Sequence, residues 1–161
     1  MRTYEIVDRN EIEAILAACR TAYLGLADRD QRPYVVPMNF GYRDGTIYLH
    51  SAQSGRKWEI MQSNPKACIT FCLGDELAWQ HEQVACSYRM KSKTVIAEGK
   101  IEFIDDDDEK TRAMNILMAQ YSDRIFTYSK PAIRNVGVFK MKIERLAARE
   151  FGAKAVTVWN R

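Results

Sequence analysis

The sequence predicts a mainly β protein, an antiparallel barrel of about six strands accompanied by about three helices. Three observations predict it. Short alternations of apolar and polar residues recur along most of the 161 residues, whereas helical spacing appears in only three places. No glycine-rich strand-to-helix fingerprint is present, which weighs against a doubly wound sheet. No linker, repeat or low-complexity stretch divides the chain, so residues 1–161 read as one domain of ordinary size. An open barrel leaves edges and apolar faces to be covered. Pairing two copies is the simplest cover, so a homodimer is expected.

The elements follow in order. Asp8 with Glu11 reads as a capping box for a helix over about residues 9–20, whose core face is Ile12, Ile15, Leu16 and Cys19. Residues 23–27 and 34–40 read as strands joined by a polar loop. Arg43-Asp44-Gly45 is a tight-turn signal, and Thr46–Ser51 is the returning arm of the hairpin. A second helix runs from about Gly55 to Ser63, packs Trp58 and Met61, and stops at Asn64-Pro65. Residues 66–73, 83–88 and 94–104 read as strands, with Gly99 marking a bend or bulge in the last. The acidic run at 105–108 resembles a metal site on first sight, but acids favour the positive end of a helix dipole. Asp106 and Glu109 then form a second capping box, ahead of a core face of Met114, Leu117, Met118 and Tyr121. Residues 136–146 read as a closing strand that turns Phe139, Met141 and Ile143 inward.

Composition narrows the function classes. A net charge of +3 is too small to argue for a nucleic-acid partner, although a slight cationic excess suits a phosphorylated ligand. No apolar run approaches a membrane span, and Met1-Arg2-Thr3-Tyr4-Glu5-Ile6-Val7-Asp8 lacks the apolar block of a signal peptide. The expected location is therefore the cytoplasm. Cys19, Cys68, Cys72 and Cys86 show no close paired spacing, and all four read as buried thiols with no role in binding metal. No metal is expected.

The stretch richest in chemistry is Tyr48-Leu49-His50-Ser51-Ala52-Gln53-Ser54-Gly55-Arg56-Lys57, where a strand pattern breaks into a helix through small polar residues followed by two cations. A helix start presents unpaired N–H groups and positive dipole, so with the Ser51 and Ser54 hydroxyls and Lys57 it makes a seat for phosphate. The plainer alternative is an ordinary cap at Ser54 with Arg56 and Lys57 in solvent. His50 favours the seat. It ends the strand just before it, on the same side as Tyr48, and is one of two histidines in the chain. Pro37 has no N–H, so its strand cannot be fully paired there and leaves an edge for a ligand.

The order of motifs resembles a known family. Pro33-Tyr34-Val35-Val36-Pro37-Met38-Asn39-Phe40, then Asp44-Gly45-Thr46-Ile47-Tyr48-Leu49-His50-Ser51-Ala52, Gly55-Arg56-Lys57 and Asn64-Pro65 is similar to the Nim-type (nitroimidazole-resistance-like) flavoproteins of the pyridoxamine-phosphate-oxidase-like superfamily. The likeness continues through Tyr88 to Gly99, the helix that follows Asp106, and the closing Phe151-Gly152-Ala153-Lys154. It implies a Greek-key split β-barrel that binds FMN, with two flavins at the interface of a homodimer. It carries Pro37, Met38 and Asn39 to the flavin ring. His50, Ser51 and Lys57 fall on the ribityl-phosphate side, with Ser54 beside them and Arg56 as a weaker candidate. For Met38 and Phe40 a plain core role stays open. The partner subunit is expected to complete the site through Tyr88-Arg89-Met90-Lys91-Ser92-Lys93-Thr94, where relatives carry a Tyr-Arg-Ser-Val type sequence. That departure leaves two readings of Arg89, Ser92 and Lys93, as contacts to the partner's cofactor or as a solvated, lysine-blunted strand edge. His81 reads as a surface residue.

The resemblance further implies reduction of a small electron-poor substrate such as a nitroaromatic, by FMN charged from NAD(P)H or another electron donor. His50 is the proton donor by side-chain type, with Tyr88 a weaker one. Pyridoxamine-phosphate oxidation is a second enzyme reading, although the chain ends Val156-Thr157-Val158-Trp159-Asn160-Arg161 without the basic substrate motif of the true oxidases. A non-catalytic flavin carrier or sensor and a haem-binding member of the same fold are the other readings. A deazaflavin would present the same phosphate and tricyclic ring.

Overall fold

One residue, Asn39, separates two strands that lie at opposite ends of a single sheet. The computed structural model describes residues 3–152, so Ala153, Lys154 and the stretch 156–161 lie outside the described residues. The elements are β1 (Thr3–Glu5), α1 (Arg9–Ala18), β2 (Ala22–Ala27), β3 (Pro33–Met38), β4 (Phe40–Arg43), β5 (Thr46–Ser51) and α2 (Arg56–Ser63). After them come β6 (Lys66–Ala78), β7 (Arg89–Ile104), α3 (Asp107–Ala119), α4 (Lys130–Asn135) and β8 (Gly137–Phe151). All pairings are antiparallel in the order β3-β2-β6-β7-β8-β5-β4, with β1 added to β8. Since neighbouring Cα atoms are about 3.8 Å apart, the two outer strands must come round to meet at Asn39. The sheet is thus a barrel split at a β3–β4 seam, as the sequence predicts.

Inside the barrel the even positions of β2 and the odd positions of β6 and β7 meet: Leu24, Ile69, Phe71, Val95 and Ala97 are fully buried. Phe40 opens β4 against Phe71, their rings edge to face with centroids at 4.7 Å. α1 lays Ile12, Ile15 and Leu16 over this core. Gln120 fastens its C-terminal end, sharing the side-chain amide among the carbonyls of Leu16, Ala17 and Cys19 at 2.9–3.0 Å and so satisfying groups a helix end leaves unpaired. Tyr121 acts at the seam itself. Its hydroxyl accepts from the Phe40 N–H at 2.9 Å and donates to the Arg20 carbonyl at 3.0 Å. α3 reaches this position because Gly41 on β4 has no side chain: a Cβ there would lie 2.6 Å from the Leu117 Cα.

Several expectations hold with physical cause. Asp44 and Gly45 take φ of 49° and 74°, the left-handed pair a two-residue hairpin turn requires. The β7–β8 register slips at Glu98/Gly99, placing a bulge at the glycine. Asp8 and Asp106 both cap their helices, accepting from Asn10 N and Glu109 N. The capping boxes are not completed, because Glu11 is taken by Lys93 at 2.6 Å and Glu109 by Lys140 at 2.7 Å.

Other expectations need correction. Residues 34–40 are two strands instead of one, broken at the seam. Residues 83–88 are a turn with a 3-10 segment, Ala85–Ser87, because they have no neighbouring strand to pair with. β6 loses β2 beyond Phe71 and β7 loses β8 beyond Ser92, so residues 76–78 and 89–91 run on past the barrel as a two-stranded arm. β1 and α4, of three and six residues, are too short to show a period in the sequence. Of the four thiols only Cys19 is buried; Cys68 is half-buried, while Cys72 on the outer face of β6 and Cys86 in the turn are exposed. Among the described residues no group of three or more metal-ligating side chains assembles, and no helix is long and apolar enough to cross a membrane.

Candidate functional site

The seam gathers three of the residues the sequence points to. Met38 closes β3, His50 sits near the end of β5, and Lys57 lies in the first turn of α2. Lys57 Nζ donates to Met38 Sδ at 3.1 Å, a weak acceptor for an ammonium. No carboxylate pairs with Lys57 among the described residues, and burial pushes its pKa below the ordinary lysine value. Burial also lowers the pKa of His50, and the nearby Lys57 charge adds to the shift. The His50 Nδ1 atom is buried with no hydrogen-bond partner. An unpaired cation beside an unpartnered imidazole nitrogen, both partly withdrawn from water, makes a place where an anionic or hydrogen-bonding ligand is favoured.

The helix start adds to this. Gly55 is the N-cap residue with φ of 92°, and no side chain caps α2. Ser54 therefore does not act as the cap, because the left-handed turn at Gly55 moves the helix boundary one residue on; Ser54 stands exposed. Ser51 donates its hydroxyl to the Ala52 carbonyl at 2.8 Å and keeps its oxygen lone pairs available. Arg56 turns away to stand over the Tyr34 ring of β3 at 4.8 Å, where a cation–π contact holds α2 against the barrel. Trp58 completes that attachment, packing on Phe103 at 4.5 Å and on the bare backbone of Gly137, where a Cβ would lie 2.5 Å from its ring.

Pro37 and Asn39 flank Met38, and both are exposed. Pro37 faces outward beside Tyr23, its register partner on β2, while Asn39 is the seam residue. Arg89, Ser92 and Lys93 do not join the cluster within one chain. His50 pairs with Val138, and Val138 with Ile104, whereas Ser92 pairs with Phe151 at the other end of β7. Twelve positions separate Ser92 from Ile104, roughly 40 Å of strand. Arg89 donates to the Gly152 carbonyl at 3.0 Å, Lys93 is held by Glu11, and Ser92 lines a cleft of about 220 Å³ with Gly74 and Glu150. His81 is exposed, and its backbone is bound by the Ser87 hydroxyl. Tyr88 is committed to the arm, stacked on Trp79 at 5.4 Å with its hydroxyl on the Glu82 carbonyl.

A wide cleft of about 510 Å³ lies elsewhere, on the outer face between Gly25, Val35, Cys68 and Arg145. It is open, and its edge carries the Glu98–Arg145 ion pair at 3.3 Å. The half-buried cation and the orphaned imidazole nitrogen are at the seam. Sequence reasoning passed over Gln53, whose side chain ties the strand-to-helix loop to α4; only a polar residue between two serines marked it.

A model of the pyridoxamine 5'-phosphate oxidase family matches residues 8–150. A solved structure from Bacteroides thetaiotaomicron, of a protein provisionally described as a 5-nitroimidazole antibiotic resistance protein, is 43% identical; the match covers 93% of this chain and 88% of that one, with a TM-score of 0.85. The FAD and heme binding protein of Mycobacterium smegmatis is 14% identical over 92% of this chain and 74% of its own, with a TM-score of 0.82. A FAD-binding protein of Mesorhizobium loti is 24% identical over 93% and 99%, with a TM-score of 0.66. At these two identities the likeness is one of fold. The Rhizobium meliloti protein RA0666 is 33% identical over 64 residues, 40% of this chain, and the match spans 41% of the length of that curated relative.

The pKa shifts give a signed pH dependence. His50 is held below its ordinary value of 6.5, so between that value and the folded one the unfolded chain binds more protons. The His50 contribution to stability is complete above 6.5 and is lost as the pH falls through the folded value. His50→Gln removes this contribution. Denaturant midpoints compared at about pH 7.5 and about pH 5 should therefore show a larger acid loss in the native chain than in the variant. Equal losses would mean that His50 takes up no proton in this window.

Proposed function

The chain belongs to the pyridoxamine 5'-phosphate oxidase family, beside the 5-nitroimidazole-resistance-like proteins, and from that membership and the seam cluster we propose that it binds FMN there and reduces small electron-poor aromatic substrates. The observation that carries the reading is the partly buried Lys57 ammonium without a counter-charge, next to an orphaned His50 Nδ1 and an uncapped helix start. These residues fit a flavin mononucleotide. Its phosphate matches Lys57, the α2 amides and the Ser51 oxygen, and its flat ring matches the β3 end at Pro37, Met38 and Asn39. When bound, a flavin carries an electron pair from a reductant such as NAD(P)H to an acceptor.

The chain supplies the rest. Lys57 holds the anionic end and fixes its distance from the ring pocket. Met38 presents apolar atoms that exclude water, and Phe40 behind it belongs to the barrel core. His50 manages a proton at Nδ1. An anion placed beside His50 offsets the Lys57 charge, one of the two causes that lower its pKa, and so raises the imidazole back toward its ordinary value, where it can hold and deliver a proton.

Homodimerisation is part of the same proposal. Arg89, Ser92 and Lys93 lie far along β7 from the strand end that faces His50, and in the proposed dimer a second copy brings them to the seam. The outer sheet face leaves Tyr23, Val35, Ile96 and Leu146 exposed, an apolar surface that a two-fold pairing would cover. A cytoplasmic location suits the free thiols, which a reducing compartment preserves.

Lys57→Ala should weaken FMN by about tenfold to a hundredfold, the effect of one charge-assisted contact of about 1.5–3 kcal/mol, while riboflavin, which lacks the phosphate, loses little. Fluorescence titration of both flavins reads the difference, and equal losses would make Lys57 structural. His50→Ala should keep most of the FMN affinity but slow acceptor reduction by about 10²–10⁴-fold in stopped-flow assays; native rates across pH would remove it from proton transfer. Sedimentation should show a dimer when flavin is loaded. A stable flavin-loaded monomer at low micromolar concentration would refute the shared site.

A further inference from the structure

We propose that Gln53 is the positioning residue of the phosphate seat, the side chain that holds the strand-to-helix loop in its ligand-binding shape; this rests on the flavin reading above. Residues 52–55 belong to no strand or helix, and all four are exposed. The Ser51 hydroxyl stays local on the Ala52 carbonyl. Gln53 alone among the side chains of this loop reaches across to the body of the fold, among the described residues. Its Nε2 donates to the Arg134 carbonyl at 2.7 Å and to the Val136 carbonyl at 3.1 Å. Those carbonyls lie at the C-terminal end of α4, where a helix leaves its acceptors without partners, so both sides of the contact gain.

The anchor itself is firm. Ser129 caps α4 at Ala132 N, Arg134 is paired with Asp107 of α3 at 3.1 Å, and Ser51 is in register with Gly137 at the start of β8. The loop is therefore pinned at both ends and at its middle: β5 and β8 fix Ser51, Gln53 fixes the centre, and Trp58 seats α2 on Gly137. The three attachments set the spacing between the Ser51 oxygen, the first α2 amides and Lys57. A phosphate needs all of these donors and acceptors at once, whereas a ring without phosphate needs none of the loop. Releasing the centre leaves the exposed residues to be ordered at the moment of binding, and that cost falls on the phosphate alone.

Gln53→Met keeps the length of the side chain without a donor, and Gln53→Glu keeps its shape while setting a carboxylate against two carbonyls. FMN and riboflavin dissociation constants and the melting temperature are measured for the native chain and both variants. The expected result is about a tenfold loss of FMN affinity in Gln53→Met and a larger one in Gln53→Glu, with riboflavin within about twofold of native and the melting temperature nearly unchanged. Unchanged FMN affinity, or equal losses of both flavins, would overturn the assignment. If the native chain binds neither flavin, it is the flavin reading that fails. Amide hydrogen exchange at residues 56–58 then decides separately, since Gln53→Met should speed it if the anchor holds the helix start, and native rates would refute the anchor.

Discussion

A covalent limit governs this molecule: two strands at the far edges of one sheet are joined by a single residue. Asn39 cannot span a flat sheet of seven strands, so the sheet must curl until β3 and β4 adjoin. Curling in turn decides what the seam looks like. A strand that leaves one neighbour and joins another has backbone groups that neither neighbour serves, and the Phe40 N–H is one of them. Tyr121 satisfies it, which requires α3 to end where it does and Gln120 to hold α1 alongside. Pro37, without an N–H, asks for no partner at the same edge.

The same geometry explains why a cation can sit where it does. Lys57 is drawn into the seam by the α2 attachment, through Arg56 on Tyr34 and Trp58 on Gly137, and not by any carboxylate. Its nearest recorded acceptor is a thioether. Three other lysines do have a counter-charge: Lys91, Lys93 and Lys140 each hold a glutamate across strands or between helix and strand. Lys57 differs from these three in lying half-buried beside a partly buried imidazole with no carboxylate against it, a perturbed pair of the kind that marks candidate sites.

Local patterns were legible in the sequence, and contacts between distant segments were not. The helical and strand periods, the Asp44-Gly45 turn and the Gly99 bulge each depend on neighbours within a few residues. His50 and Lys57 were likewise visible because one strand-to-helix junction holds both. Met38 was placed near them only by family likeness, since nothing local reports a contact between residues 38 and 57. Glu11 and Glu109 looked like capping-box partners because the lysines that claim them come from strands 82 and 31 positions away. Residues 83–88 alternated like a strand, but a strand needs a neighbour, and the arm of β6 and β7 extends beyond the barrel where none is present. Gln53 carried only the faint signal of one more polar residue in a polar loop; its acceptors are backbone carbonyls, which any sequence would supply.

Gly41 has no polar side chain and touches none of the seam cluster, yet it governs the seam from behind. The helix that leads into Tyr121 rests directly on its backbone, so any side chain introduced there pushes α3 outward and carries the Tyr121 hydroxyl off the Phe40 amide. The strand switch would then lose its acceptor at the one point where no adjoining strand can replace it. On the flavin reading proposed above, a survey of variants scored by ligand retention alone would return this glycine together with Lys57, and would read as a binding residue one whose task is to let two backbones meet.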